Sequence, residues 1–145
     1  MDAFELSSKL KAFDIEQAAE LAFSSDAFLR SVESEQVKQM KAGKNSEGKG
    51  IGRYKSPKYA AKKHAMNPLP GEGNVDLVLT GKFTSEIFAQ SDSGVMEIAS
   101  NDSKSADLES KYGETIFGLS SKFKETPEAV LQTELTKTVK NELGL

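Results

Sequence analysis

The 145-residue sequence has no cysteine and no tryptophan, a single histidine and only four prolines. Without cysteine there is no disulfide framework, no thiol nucleophile and no thiolate metal site. With His64 as the sole imidazole, a zinc site built on several histidines is excluded as well. No apolar run approaches the roughly 18 residues of a membrane-spanning helix, and the acidic N-terminal stretch does not read as a signal peptide. Aromatics are few, eight Phe and three Tyr. The remaining composition, 37% apolar and 28% charged, is ordinary for a globular chain of one domain's length, so residues 1–145 are read as a single domain.

Charge is present but segregated. Residues 1–37 hold eight acids and three bases, a net of −5. Residues 38–64 hold nine bases against Glu47 alone, a net of +8, and residues 65–145 hold thirteen acids and seven bases, a net of −6. The total is −3. A basic block between acidic flanks attracts phosphates or an acidic protein face, and the same complementarity serves self-assembly.

Hydrophobic period and cap residues predict the elements. Phe4, Leu6, Leu10 and Phe13 suggest a short helix over 2–13. Asp14 as N-cap with Gln17 three residues on opens a helix over 14–42, with a break expected at Ser24-Ser25-Asp26. Residues 43–74 read as a basic Gly/Lys-rich loop carrying one short helix, Lys58 to Met66, with Pro57 at its first turn. Val75, Leu77 and Leu79 alternate, as do Phe83, Ser85, Ile87 and Ala89, which predicts strands. Asp92-Ser93-Gly94 is a turn signal, and Val95 to Ala99 completes a β-hairpin. Lys104 to Tyr112 makes a short helix closed by Gly113, and Thr115 to Leu119 adds a strand. Thr126 as N-cap and Pro127 at the first helical position start the last helix, with Val130, Leu131, Leu135, Val139 and Leu143 on its buried face. The fold class is therefore α+β: a long N-terminal helix, a small antiparallel β-sheet with a hairpin, and a C-terminal helix. That inventory is modest for the length and leaves apolar surface for neighbouring subunits to cover.

Three motifs invite chemistry. Gly43 to Gly50 imitates the phosphate-binding G-x-x-x-x-G-K-[ST] loop, but Gly50 stands where the Mg²⁺-binding hydroxyl belongs, and no buried strand precedes it. It reads as a flexible basic loop. His64 lies beside Lys62 and Lys63, which oppose a catalytic base, so it reads as a solvated helix residue. Asp102, Asp107 and Glu109 lack the spacing of a Ca²⁺ loop and read as helix-start acids. No catalytic set assembles, no cofactor is implied, and the chain is expected not to be an enzyme.

Lys44, Lys49, Arg53, Lys55, Lys58, Lys62 and Lys63 remain as contact residues for phosphate or an acidic protein face. Tyr54 and Tyr59 lie among them, as in a stretch that tracks a nucleic-acid backbone with stacking support. Lysine outnumbers arginine eight to one across 38–64, which points away from base-specific readout. A solvated basic face, an acidic protein partner and non-specific DNA contact all stay open.

Leu79-Thr80-Gly81-Lys82-Phe83, followed by Ser85 and Ile87, resembles the L-T-G-x-L-x-x-S-I segment of phage virion-morphogenesis, or tail-completion, proteins. In that family a strand pair, a short helix ending near an aromatic and a glycine, a hydrophobic turn and a final helix follow. Here Val95 to Ala99, Leu108 to Tyr112-Gly113, Ile116 to Ser120 and Pro127 to Leu143 take those places. The family's aromatic-Ala run is reduced to Lys111-Tyr112-Gly113. The upstream Gln39, Gly43, Ser46-x-Gly48, Ile51-Gly52-x-Tyr54 and Tyr59-Ala60 stretch is similar to proteins of tailed phages of gut bacteria, including crAss-like phages. The resemblance implies a structural virion protein of the head–tail junction. Such a protein is made in the host cytoplasm and forms a ring of roughly six or twelve copies. Its implied partners are itself, the portal or other neck and tail proteins, and the DNA in the channel, with no membrane. The rival reading is a nucleic-acid-binding module using residues 38–64.

Overall fold

Caps written into the sequence set the first three helices. The computed structural model describes residues 1–78 and 80–145, so Leu79 of the resemblance segment lies outside the described residues. Helix α1 (Ala3–Ala12) opens on a reciprocal capping box: Asp2 accepts from the Glu5 amide at 2.8 Å, and Glu5 accepts from the Asp2 amide at 3.2 Å. Asp14 caps α2 (Ile15–Phe23) by accepting from the amides of Glu16 and Gln17. The expected long helix over 14–42 is divided where its break was expected. Ser25 takes an extended conformation, donates its hydroxyl to the Ala22 carbonyl at 2.7 Å and accepts from the Phe28 amide as N-cap of α3 (Asp26–Lys41). Serine competes with the helix for the same backbone groups, and here it wins.

Ser56 caps α4 (Pro57–Met66) with Pro57 at its start, as expected. Among the described residues, the alternation from Val75 to Ala89 gives no strand before Ile87. Arg53 and Asn74 form only an isolated bridge, and Lys82–Ser85 is a single helical turn, α5. Gly81, at φ +82°, starts the turn, and the Thr84 hydroxyl donates back to its carbonyl at 3.1 Å. Val75, Leu77, Phe83 and Ile87 are buried, but so are Asp76 and Thr84, while Ser85 is exposed, so burial does not keep period two and the chain turns at Gly81. The hairpin follows as expected: β1 (Ile87–Asp92) pairs antiparallel with β2 (Val95–Ser100), from Ile87 against Ser100 to Asp92 against Val95. Ser93 and Gly94 both have positive φ, the requirement of the tight two-residue turn.

Helix α6 (Ser105–Tyr112) ends at Gly113, as its sequence indicates. Two C-terminal expectations fail. Thr115 to Leu119 is not a strand: a 3₁₀ turn spans Glu114–Ile116 and extended chain follows. Helix α7 (Ser121–Leu143) begins at Ser120 rather than Thr126, leaving Pro127 buried inside the helix. One helical bond is lost at Pro127, because proline has no amide proton for the Phe123 carbonyl.

Both failures have one cause in α3. Gln36 and Gln39 are completely buried. Gln36 donates to the Ile116 carbonyl at 3.2 Å and accepts from the Gly118 amide at 2.9 Å; Gln39 donates to the Gly118 carbonyl at 2.7 Å and accepts from the Ser120 amide at 2.8 Å. The extended segment thus finds its ladder in two side-chain amides instead of a neighbouring strand. With Ser120 held in this way, α7 starts directly behind it. Gly118, at φ +102°, admits no side chain cheaply, since a Cβ there would stand 3.1 Å from that of Ser46.

Helix α3 is the centre of the molecule, packed between α7 and β1. One apolar cluster joins Met40, Val75, Leu77, Phe83, Ile87 and Ile116; another joins Phe28, Val32, Ala89 and Leu119. Glu33 accepts from the Ala89 amide at 3.0 Å while pairing with Arg30, which fastens α3 to the strand.

Candidate functional site

A cleft of about 730 Å³ opens between α4, the chain at 76–78 and 80–83, and α6. Six cationic side chains line it, Arg53, Lys55, Lys63, Lys82, Lys104 and Lys111, against two carboxylates, Asp76 and Asp102. On a chain of net charge −3 this is a local reversal of sign. Tyr54, Tyr59, Tyr112, Leu77, Phe83 and Leu108 supply apolar lining.

The base of the cleft is an enclosed ion pair. Lys63 lies 2.6 Å from Asp76, with side chains 5% and 2% exposed. Lys63 also donates to the Val78 carbonyl. Asp76 accepts from the Asn67 amide group at 2.8 Å and from the Val78 backbone amide at 3.1 Å, and Asn67 donates as well to the Lys41 carbonyl at the end of α3. Lys63 is therefore not the solvent-facing contact residue expected from the basic run. Its burial follows from the spacing in α4, which turns Ala60 and Lys63 together toward the core.

Tyr54 stands beside this pair, its hydroxyl 3.4 Å from both the carbonyl and the amide of Asp76, and its ring edge-on to Tyr59 at 5.1 Å. Burial, then the nearby Asp76 carboxylate, push its phenol up to about 12 from the usual 10. A raised folded value favours the neutral form, so the stabilising contribution of Tyr54 is complete below pH 10 and is lost as the pH rises through about 12. Absorbance titration should show the Tyr54 tyrosinate forming only as the pH approaches about 12, and Tyr54→Phe should remove that step.

The rim is free charge. Lys55, Lys82, Lys104 and Lys111 are exposed, and none forms an ion pair among the described residues. Asp102, buried at the edge, accepts from the Lys104 amide at 2.8 Å and so helps start α6, as a helix-start acid does. Arg53 is occupied by Asn74, to which it donates at 2.9 Å.

Of the basic residues singled out from the sequence, Arg53, Lys55 and Lys63 reach the cleft. Lys44, Lys49, Lys58 and Lys62 do not line it. Lys49 pairs with Glu47 at 3.5 Å in open solvent. The loop at 43–50 is not the flexible segment expected. The Asn45 side chain accepts from the amides of Glu47 and Lys49, its backbone bonds Lys49, and the Ser46 amide donates to the Thr115 carbonyl. His64 is not solvated either: it is half-buried, and its Nδ1 is enclosed without a partner. Lys82, Lys104 and Lys111 were invisible as site residues, because Lys104 and Lys111 sit in sequence between acids, Lys82 stands alone, and only the fold gathers them. In the resemblance segment, Thr80, Phe83 and Tyr112 line the cleft, while Gly81 and Gly113 supply the positive-φ turns beside it.

The cleft can hold an anionic group on its lysine rim while its rings and aliphatic side chains cover an apolar one. Among the described residues, no group of three or more His, Asp or Glu side chains is arranged to hold a metal ion. Compared with protein-family models, curated proteins and solved structures, the chain matches none.

Proposed function

We propose that the chain is a structural protein of a tailed-phage head–tail junction, a connector or tail-completion ring subunit that works by oligomeric assembly without catalysis. The resemblance of the 79–87 segment and the order of elements after it motivate the reading. One observation carries it furthest: helices α1 and α2 present Phe4, Leu10, Ile15 and Leu21 to solvent, and Phe4 is 88% exposed. No residue of α1 is buried. Apolar side chains displayed along a capped, well-formed helix mark a surface completed by another protein. Under this reading the partners are further copies of the chain, the portal and adjoining neck or tail proteins, and the chain acts in the virion after assembly in the host cytoplasm.

Mass measurement of the purified protein, alone and mixed with tailed particles, tests it. A closed ring of roughly six or twelve copies, or stoichiometric incorporation into particles, is expected. A persistent monomer that never joins particles overturns the proposal.

The cationic cleft gives a specific reason to keep a nucleic-acid-binding module as the second reading, now with Lys82, Lys104 and Lys111 added to Arg53 and Lys55. Single-stranded DNA affinity that falls steeply with salt would favour it, because each phosphate contact releases counterions.

A further inference from the structure

We infer that the cationic cleft is a binding site for a compact aromatic anion, a flat ring joined to a phosphate, sulfonate or carboxylate group, and that it takes this ligand whether or not the chain assembles. A volume of about 730 Å³ lies in the range of small-molecule sites, which are mostly apolar with a few polar groups that fix orientation. The charge open to a ligand is at the rim. At the base Lys63 and Asp76 neutralise each other, and with side chains 5% and 2% exposed they present little of either charge to the cleft. Lys55, Lys82, Lys104 and Lys111 are exposed, and none forms an ion pair among the described residues. Three tyrosine rings share the lining with Leu77, Phe83 and Leu108. Ring–ring contact adds to the burial that an alkyl chain would gain alone, so this lining favours an aromatic body. Ring and cation already meet at one point, where the Lys111 ammonium stands 5.2 Å from the centre of the Tyr112 ring. A ligand that sets its ring among the tyrosines brings its anionic group to an ammonium at the same place.

A long polyanion fits less well. Asp102 and Ser103 line both the cleft and a neighbouring hollow on α6, and that hollow carries Glu109 and Glu114 with no cation among its described lining residues. A nucleic-acid backbone leaving the cleft on that side would meet carboxylates, whereas a compact anion ends at the lysines. Arg53, whose planar guanidinium is the shape best suited to clamp a phosphate, is held by Asn74.

The test titrates the full-length protein with anilinonaphthalene sulfonate, an aromatic anion that fluoresces in apolar surroundings. Adenosine monophosphate, adenosine and inorganic phosphate then compete with the dye. One saturable site per chain is expected, and the nucleotide should displace the dye about 10-fold better than either of its parts. Lys82→Glu/Lys111→Glu should weaken dye and nucleotide about 10-fold, since two exposed attractions become repulsions. Lys44→Glu/Lys49→Glu makes the same change of charge at exposed lysines outside the cleft and should leave both affinities unchanged. Circular dichroism and melting curves check that the variants fold, and Lys82→Ala/Lys111→Ala replaces the reversed pair if its melting curve falls. Absence of saturable dye binding, a cleft variant that binds as the wild type does, or equal weakening in the two charge variants overturns the proposal. Displacement by inorganic phosphate as strong as by the nucleotide overturns it too, because the rings then contribute nothing. An oligothymidylate of about 20 nucleotides that binds more tightly than the mononucleotide, with a steep loss on added salt, would assign the cleft to a polymer instead.

Discussion

Replacing Asp76 by alanine is expected to destabilise the protein by about 3–5 kcal/mol, because it leaves the Lys63 ammonium enclosed without its counter-charge. The pair is 2.6 Å apart, and neither side chain is more than 5% exposed. After the substitution Lys63 keeps only the Val78 carbonyl, while Asn67 and the Val78 amide each lose an acceptor. A chain of this size has roughly 5–15 kcal/mol of total stability, so a large part of it is at stake. Urea unfolding is the measurement, with a lower midpoint and an unchanged slope as the expected result. Adding Lys63→Met to Asp76→Ala should recover much of the loss, since the orphaned charge is then gone. A cost below about 1 kcal/mol for Asp76→Ala would show that water reaches Lys63 freely.

Gln39→Ala is the second large effect, about 2–4 kcal/mol, from unpairing two enclosed backbone groups at roughly 1–3 kcal/mol each. The groups are the Gly118 carbonyl and the Ser120 amide, which no other bond serves once the side-chain amide is absent. Alanine also leaves a void, so Gln39→Met is the sharper variant: it keeps the volume and removes the hydrogen bonding. If Gln39→Met stays within about 0.5 kcal/mol of wild type, the amide clamp is not what holds the segment. Hydrogen exchange should report the consequence locally, with faster exchange at Gly118 and Ser120 and through the first turn of α7. Gln36, which makes the equivalent pair of bonds to Ile116 and Gly118, is coupled to the same segment. The double variant is therefore not expected to show the sum of the two single effects.

These two expectations share a feature that bears on how the chain encodes its structure. Lys63 and Asp76 are thirteen positions apart, and Gln39 and Ser120 are eighty-one apart. Neither pairing leaves a local trace. In a linear reading Lys63 is one more cation in a basic run, and Gln39 is one more polar residue near a helix end. The same blindness affects the cleft: Lys82, Lys104 and Lys111 belong to a stretch with net negative charge, yet they stand on one rim with Lys55. Segment charge picks out Arg53, Lys55 and Lys63 among the cations that line the cleft and does not gather the other three.

Where the sequence alone sufficed, the determinants lie within a few residues of one another. Asp14 caps α2, Ser25 divides α2 from α3, Ser56-Pro57 opens α4, Ser93-Gly94 closes the hairpin and Gly113 ends α6. Capping and tight turns are satisfied by the residue itself or by neighbours two to four positions away, so composition and spacing determine them. Only the tertiary structure decided the span from Val75 to Ser85 and the start of α7. There two readings were locally compatible, and long-range partners chose between them. Alternation at 75–87 suggested a strand, but Asp76 and Thr84 are buried beside their apolar neighbours, Ser85 is exposed, and Gly81 supplies a turn. Thr126-Pro127 was an adequate helix start, but Gln36 and Gln39 had already fixed the chain at 116–120, so the helix began at Ser121. A backbone group in the interior must find a partner, and which one it finds depends on what folding brings beside it.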